Sequence, residues 1–155
     1  MKPFLKICTI TAVFHFYLLA HCQIPCGIYS DSEQILLIRE NLDTIEKAMK
    51  KIIELSSRED PKSINQINRW INAKETHAQN IQAIVSEYFM TQRLRENTKN
   101  YLKKLKVLHL LLVSSMKCKQ SVESKNVRNS REHLESFVKM YFGKEEIEHL
   151  DQHSK

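Results

Sequence analysis

Between Ile35 and Ile52 the apolar residues return at intervals of three, four, three, four and three: Ile35, Ile38, Leu42, Ile45, Met49 and Ile52. That period lays all six on one helical stripe, whereas a strand alternates its faces every second residue. A helix with one apolar stripe needs partners to cover it, so this segment alone implies packing against other helices. The chain has only two glycines, Gly27 and Gly143, and three prolines, Pro3, Pro25 and Pro61. So few backbone breakers suit long helices rather than hairpin-rich sheets, and they exclude the GxxxxGK[ST] and GxGxxG phosphate loops.

Three further helical stripes follow. The first helix ends near Ser56, before the polar turn Ser57-Arg58-Glu59-Asp60-Pro61. Ser63 with Gln66 reads as a capping box opening a second helix, which runs to about Leu94. Its stripe is Ile64, Ile67, Ile71, Ala78, Ile81, Val85 and Tyr88. A third helix from about Thr98 places Tyr101, Leu105, Leu108, Leu112 and Met116 inward. Val107 and Leu110-Leu111-Leu112-Val113 make it apolar around much of its circumference, which suits a central or subunit-contact position. A fourth, starting near Ser124, uses Val127, Leu134, Phe137, Val138 and Tyr141, with Gly143 as its C′ residue. The spacing thus predicts an all-α fold, an antiparallel four-helix bundle over residues 30–143. Residues 144–155 read as a charged tail, either a frayed helix or disordered. Fold alone assigns no chemistry.

The first twenty residues do not fit that scheme. Lys2 and Lys6 precede a run from Ile7 to Ala20 that is apolar apart from Thr9, Thr11 and His15. A basic start, about 14 apolar residues and a small residue at the end describe a cleavable secretory leader. The run is short of the roughly 20 residues that span a bilayer. Cleavage after Ala20 predicts export, to a periplasm, an extracellular space or an organelle lumen, by way of a leader-processing protease. Of the 24 Lys and Arg, Lys2 and Lys6 depart with the leader; 18 Asp and Glu remain, a formal +4. No zinc-finger spacing and no aromatic–basic interleaving points to nucleic acid.

That cut would free His21 as the N-terminus of His21-Cys22-Gln23-Ile24-Pro25-Cys26-Gly27-Ile28-Tyr29. His21 then offers an α-amine and an imidazole. Cys22 offers a thiolate and a deprotonatable backbone amide, and Cys26 a second thiolate. Two nitrogens and two sulfurs make a planar set with the imidazole along the axis. Such tetragonal sites favour Ni(II) or Cu(II), whereas zinc prefers a tetrahedron. Pro25 restricts the backbone so that the chain turns back toward the second sulfur. Gly27 permits a close backbone approach after it.

Residues 21–29 resemble the nickel hook of the nickel superoxide dismutases, H-C-x-x-P-C-G-x-Y, at all six fixed positions: His21, Cys22, Pro25, Cys26, Gly27 and Tyr29. Weaker likeness continues around Trp70, Lys74-Glu75 and Ser86-Glu87-Tyr88-Phe89. The resemblance implies a four-helix subunit, usually in a homohexamer, with one nickel ion per subunit. The reaction it implies turns two superoxides and two protons into dioxygen and hydrogen peroxide through a Ni(II)/Ni(III) couple. It makes His21, Cys22 and Cys26 the metal ligands and Tyr29 a phenol limiting access, with Tyr88 a second aromatic approaching the site. Two thiolates and an anionic amide push electron density onto the metal, which brings the couple into range. The sequence departs from the family at two places. Gln23 stands where some members are acidic. The place of a first-helix carboxylate that orients the imidazole falls at Leu37–Ile38, so another group takes that role or the imidazole is held less firmly.

Competing readings of the same residues are a Cys22–Cys26 disulfide in a secreted helical protein, non-catalytic metal binding at the N-terminus, and lipid modification at Cys22. A cytokine-like bundle explains the leader and the helices but leaves residues 21–29 without a purpose. His77 reads as a hydrogen-bonded residue near a subunit contact. Cys118, between Lys117 and Lys119, reads as a buried or idle thiol whose pKa the flanking lysines could lower.

Overall fold

The computed structural model describes residues 30–152, and the leader and residues 21–29 lie outside them. Within that span five α-helices and one π-helical segment follow in order: α1 Asp31–Leu55, α2 Pro61–Ala83, the π segment Ile84–Arg93, α3 Tyr101–Gln120, α4 Ser124–Tyr141 and α5 Lys144–Gln152. Each of α1 to α4 packs against two neighbours, α1 on α2 and α4, and α3 on α2 and α4. Short connections between consecutive helices make them run antiparallel, which is the expected bundle.

Local chemistry sets the helix starts. Ser30 caps α1 with a full capping box: its hydroxyl accepts from the Glu33 N–H at 3.1 Å, and Glu33 accepts from the Ser30 N–H at 3.3 Å. Helix α2 is capped by Asp60 rather than Ser63, with Pro61 in the first turn and the Asp60 carboxylate accepting from the Ser63 N–H at 3.0 Å. Aspartate before proline is the better start, because proline has no N–H to leave unsatisfied there. Helix α3 starts at Tyr101, after Asn100 adopts a left-handed conformation at φ 61°.

The α1 stripe holds as far as Met49: Ile35, Ile38, Leu42 and Ile45 are fully buried and Met49 nearly so, while Ile52 is only partly buried. The α2 stripe holds only in its second half. Ala78, Ile81 and Val85 are fully buried, but Ile64 and Ile71 remain 50% and 37% exposed. Helix α3 is rotated from its expected register. Lys104, Leu108, Leu111, Ser115 and Cys118 face inward, while Met116 is 40% exposed. Serines explain the rotation, since small side chains let α3 and α4 approach closely. The Ser130 hydroxyl of α4 sits 2.9 Å from both the Ser114 hydroxyl and the Asn126 carbonyl, so these buried polar groups satisfy one another.

Two long side chains lock helix ends together. Buried Lys74 on α2 donates to the Cys118 carbonyl at 2.8 Å and to the Lys119 carbonyl, terminal carbonyls of α3 that have no helical partner. Arg39 on α1 forks onto Glu135 of α4 at 3.0 and 2.9 Å and also donates to the Leu150 carbonyl of α5. Charge-assisted, bidentate pairs of this kind are about twice as strong as neutral hydrogen bonds. With Leu150 fully buried, Arg39 makes residues 144–152 a docked fifth helix rather than a loose tail. Gly143 serves as the start of that helix: its N–H donates to Glu146 at 2.9 Å and its carbonyl accepts from Ile147.

Candidate metal centre

The end of the bundle that receives the chain from residue 29 carries an unusual concentration of polar chemistry. Asp31, in the first turn of α1, accepts a hydrogen bond on each carboxylate oxygen. The Tyr88 phenol donates to Oδ1 at 2.6 Å and the Tyr141 phenol to Oδ2 at 2.7 Å. Arg93 completes the group. Its Nη2 donates to the Tyr88 hydroxyl at 2.7 Å, and its Nε lies 2.8 Å from Asp31 Oδ1, an ion pair not aligned as a hydrogen bond. The guanidinium also covers the Tyr88 ring, 4.7 Å from its centroid.

Tyr88 and Arg93 meet because they lie on the π segment. Five residues apart, they would point to different faces of an α-helix, but i→i+5 bonding stacks them nearly one above the other. The same five-residue step recurs in the bond from the Leu94 N–H to the Phe89 carbonyl at 2.8 Å. It recurs again where Thr91 and Gln92 side chains donate to the Ser86 and Glu87 carbonyls at 2.6 and 3.0 Å. The expected continuous second helix therefore ends in a wider coil. Phe89, fully buried, anchors it against Phe137 and Tyr141 with edge-to-face ring contacts at 5.1 and 5.8 Å.

The surroundings keep both phenols neutral. Burial, and then the bond to Asp31, raise the Tyr88 pKa, while Arg93 pulls the other way. The Tyr141 phenol is pushed up further by burial and by Asp31. Lys104 of α3 stands 5.2 Å from the Tyr141 ring centroid, and burial lowers its pKa. Because the phenols hold their protons more tightly folded than unfolded, this contribution to stability is full below about pH 10 and fades as pH rises past it.

Of the residues expected from sequence to form the site, Tyr88 lies among the described residues, and His21, Cys22, Cys26 and Tyr29 lie outside them. Sequence reasoning missed Asp31, Arg93 and Tyr141. Leu37 and Ile38 supply no carboxylate, as expected; Leu37 is 42% exposed and Ile38 is fully buried. His77 is occupied within its own subunit, its Nδ1 2.7 Å from Asn41 Oδ1. Among the described residues no group of three or more His, Cys, Asp or Glu side chains could hold a metal ion. Cys118 is fully buried beside Ser130. Burial raises its pKa, and Lys74, rather than a flanking lysine, is the cation that opposes the rise.

A family model for nickel-containing superoxide dismutases matches residues 17–145. The chain belongs to that family. Comparison with curated proteins and with solved structures returned no match. As a member of the nickel-containing superoxide dismutases, the protein is an oxidoreductase that uses nickel to convert superoxide to dioxygen and hydrogen peroxide. The donor chemistry of the sequence suits that metal. His21, Cys22 and Cys26 carry two sulfurs, an imidazole and backbone nitrogens within six residues. Soft thiolates with tetragonal nitrogens are a nickel-type set, unlike the all-oxygen sets of magnesium or calcium.

Proposed function

We propose that nickel is held by His21, Cys22 and Cys26 after a leader ending at Ala20 has been removed. The observation that carries this reading is the complete motif His21-Cys22-x-x-Pro25-Cys26-Gly27-x-Tyr29 directly behind a leader-like segment, in a chain of this family. Bound there, nickel supplies one-electron exchange between its +2 and +3 states. The chain supplies the rest. The His21 amine and imidazole and the Cys22 amide would contribute nitrogen donors, and the two thiolates would lower the potential at which an electron leaves. Tyr29 limits access to anions the size of superoxide. Tyr88 offers a neutral phenol that orders water near the reacting oxygens, from which the two protons of each cycle arrive.

Covalent geometry supports grouping these residues. Cys26 precedes Asp31 by five residues, so their Cα atoms lie within about 18 Å on any path of the chain. Asp31 in turn holds Tyr88 at 2.6 Å. We further propose export by way of the leader and its protease, and assembly of the mature chains into a homohexamer. Ile64 and Ile71, at helix positions that a core would bury, are exposed, as are Ile53 at 55% and Leu102 at 75%; copies of the same chain would cover them.

Exchange of the metal tests the assignment. A chain beginning at His21 and loaded with nickel should dismutate superoxide, and the same chain loaded with zinc should not, since zinc has no accessible second oxidation state. Equal turnover with zinc, or none with nickel bound at one ion per chain, would overturn it.

A further inference from the structure

We propose that Asp31 is a positioning residue of the dismutation centre, holding the Tyr88 and Tyr141 phenols as a fixed neutral pair with Arg93 as its counter-ion. The proposal rests on the reading of Tyr88 given above. Three elements meet at one carboxylate: Asp31 from α1, Tyr88 and Arg93 from the π segment, and Tyr141 from α4, with Lys104 of α3 standing against the Tyr141 ring. Each Asp31 oxygen takes one phenol, and the Tyr88 oxygen takes the Arg93 guanidinium. The Tyr88 hydroxyl thus gives its single proton to Asp31 and accepts a bond from Arg93, which fixes the direction in which its O–H points.

A carboxylate is the group this arrangement requires. Both phenols donate, so both atoms facing them must accept. An amide in the same place presents one acceptor and one donor atom, facing one phenol O–H with an N–H instead of an acceptor and leaving the guanidinium without its anion. The π segment serves the same end, because only its five-residue step lays Arg93 over Tyr88. A purely structural tie would need none of this register, and its loss would lower stability without selecting for turnover.

The test is Asp31→Asn in a chain beginning at His21. In the metal-free protein at about pH 11, tyrosine ultraviolet absorbance should report more ionised phenol than in the wild type, with helical circular dichroism unchanged. In the nickel-loaded protein, nickel content should be unchanged and kcat/KM should fall about tenfold, the scale of a misplaced positioning group. An unchanged phenol count would overturn the role of Asp31 even if Tyr88→Phe slows turnover. Wild-type turnover in Tyr88→Phe would instead remove Tyr88 from the reaction, while the phenol count would still show Asp31 holding the pair. Should Asp31→Asn fail to fold, Asp31→Glu keeps the charge but displaces the carboxylate by one methylene. It should then lose at least about threefold in kcat/KM, and wild-type turnover there would overturn the proposal.

Discussion

Cys22→Ser and Cys26→Ser should each bring dismutation to background while leaving the helical circular dichroism of the bundle nearly unchanged. Serine keeps the size of the side chain but exchanges a soft, strongly donating thiolate for a hydroxyl that stays protonated near neutral pH. Nickel would lose affinity, and any nickel retained would lose the electron density that makes its higher oxidation state reachable. The fold should not register the change. The buried core of the described residues is built from α1 to α5 and the π segment, and its buried cysteine is Cys118, on α3. Near-native turnover in either serine variant, measured by superoxide decay at equal nickel content, would contradict the two-thiolate account.

The second large effect comes from a single residue added before His21. An N-terminal extension turns the α-amine into a peptide amide, which donates far less readily to a metal and needs to lose a proton to do so. It removes a direct ligand, so the loss of nickel affinity should exceed the roughly 10–100-fold typical of losing a partner one bond farther out. Nickel titration of the extended and unextended chains compares the two directly. Equal affinity and full activity with the extension would rule out the amine as a ligand. On the proposed cleavage after Ala20, the same experiment shows why processing would gate activity, since the uncut chain carries an extension of twenty residues before His21.

The helices were legible where one face was clearly apolar and its neighbours polar. In α1 the stripe from Ile35 to Met49 is the buried face. In α3 the run Leu110-Leu111-Leu112-Val113 flattens the period, and the side read as inward from Tyr101 to Met116 is rotated from the side the fold buries. Ser114, Ser115 and Ser130 decided it by admitting α4 closely, and Lys104 is buried although its charge argued for the surface. Ile64 and Ile71 show the opposite limit, since an apolar stripe identifies what wants covering but not which partner covers it. The π segment has no local composition signal at all; its wider coil follows from the anchoring of Phe89 and the pairing of Tyr88 with Arg93.

The proposed metal ligands and the Asp31 cluster differ in the same way. His21, Cys22 and Cys26 fall within six positions, and a donor set that local can be read as a motif. Asp31 bonds to phenols 57 and 110 positions away, so no spacing rule could connect them. One local clue was available: an aspartate at the very start of a helix, two residues beyond the motif tyrosine. Read as a helix-start residue it was fully explained, because acidic side chains are favoured there by the helix dipole. Its second role became visible only when α4 and the π segment were brought against it.

Intact mass with nickel quantification, on the protein purified from its own source, tests the central claim most directly. The account predicts a chain beginning at His21, with about one nickel per subunit by family resemblance and with Cys22 and Cys26 reduced. A metal-free chain with a Cys22–Cys26 disulfide, or one carrying lipid at Cys22, would contradict it.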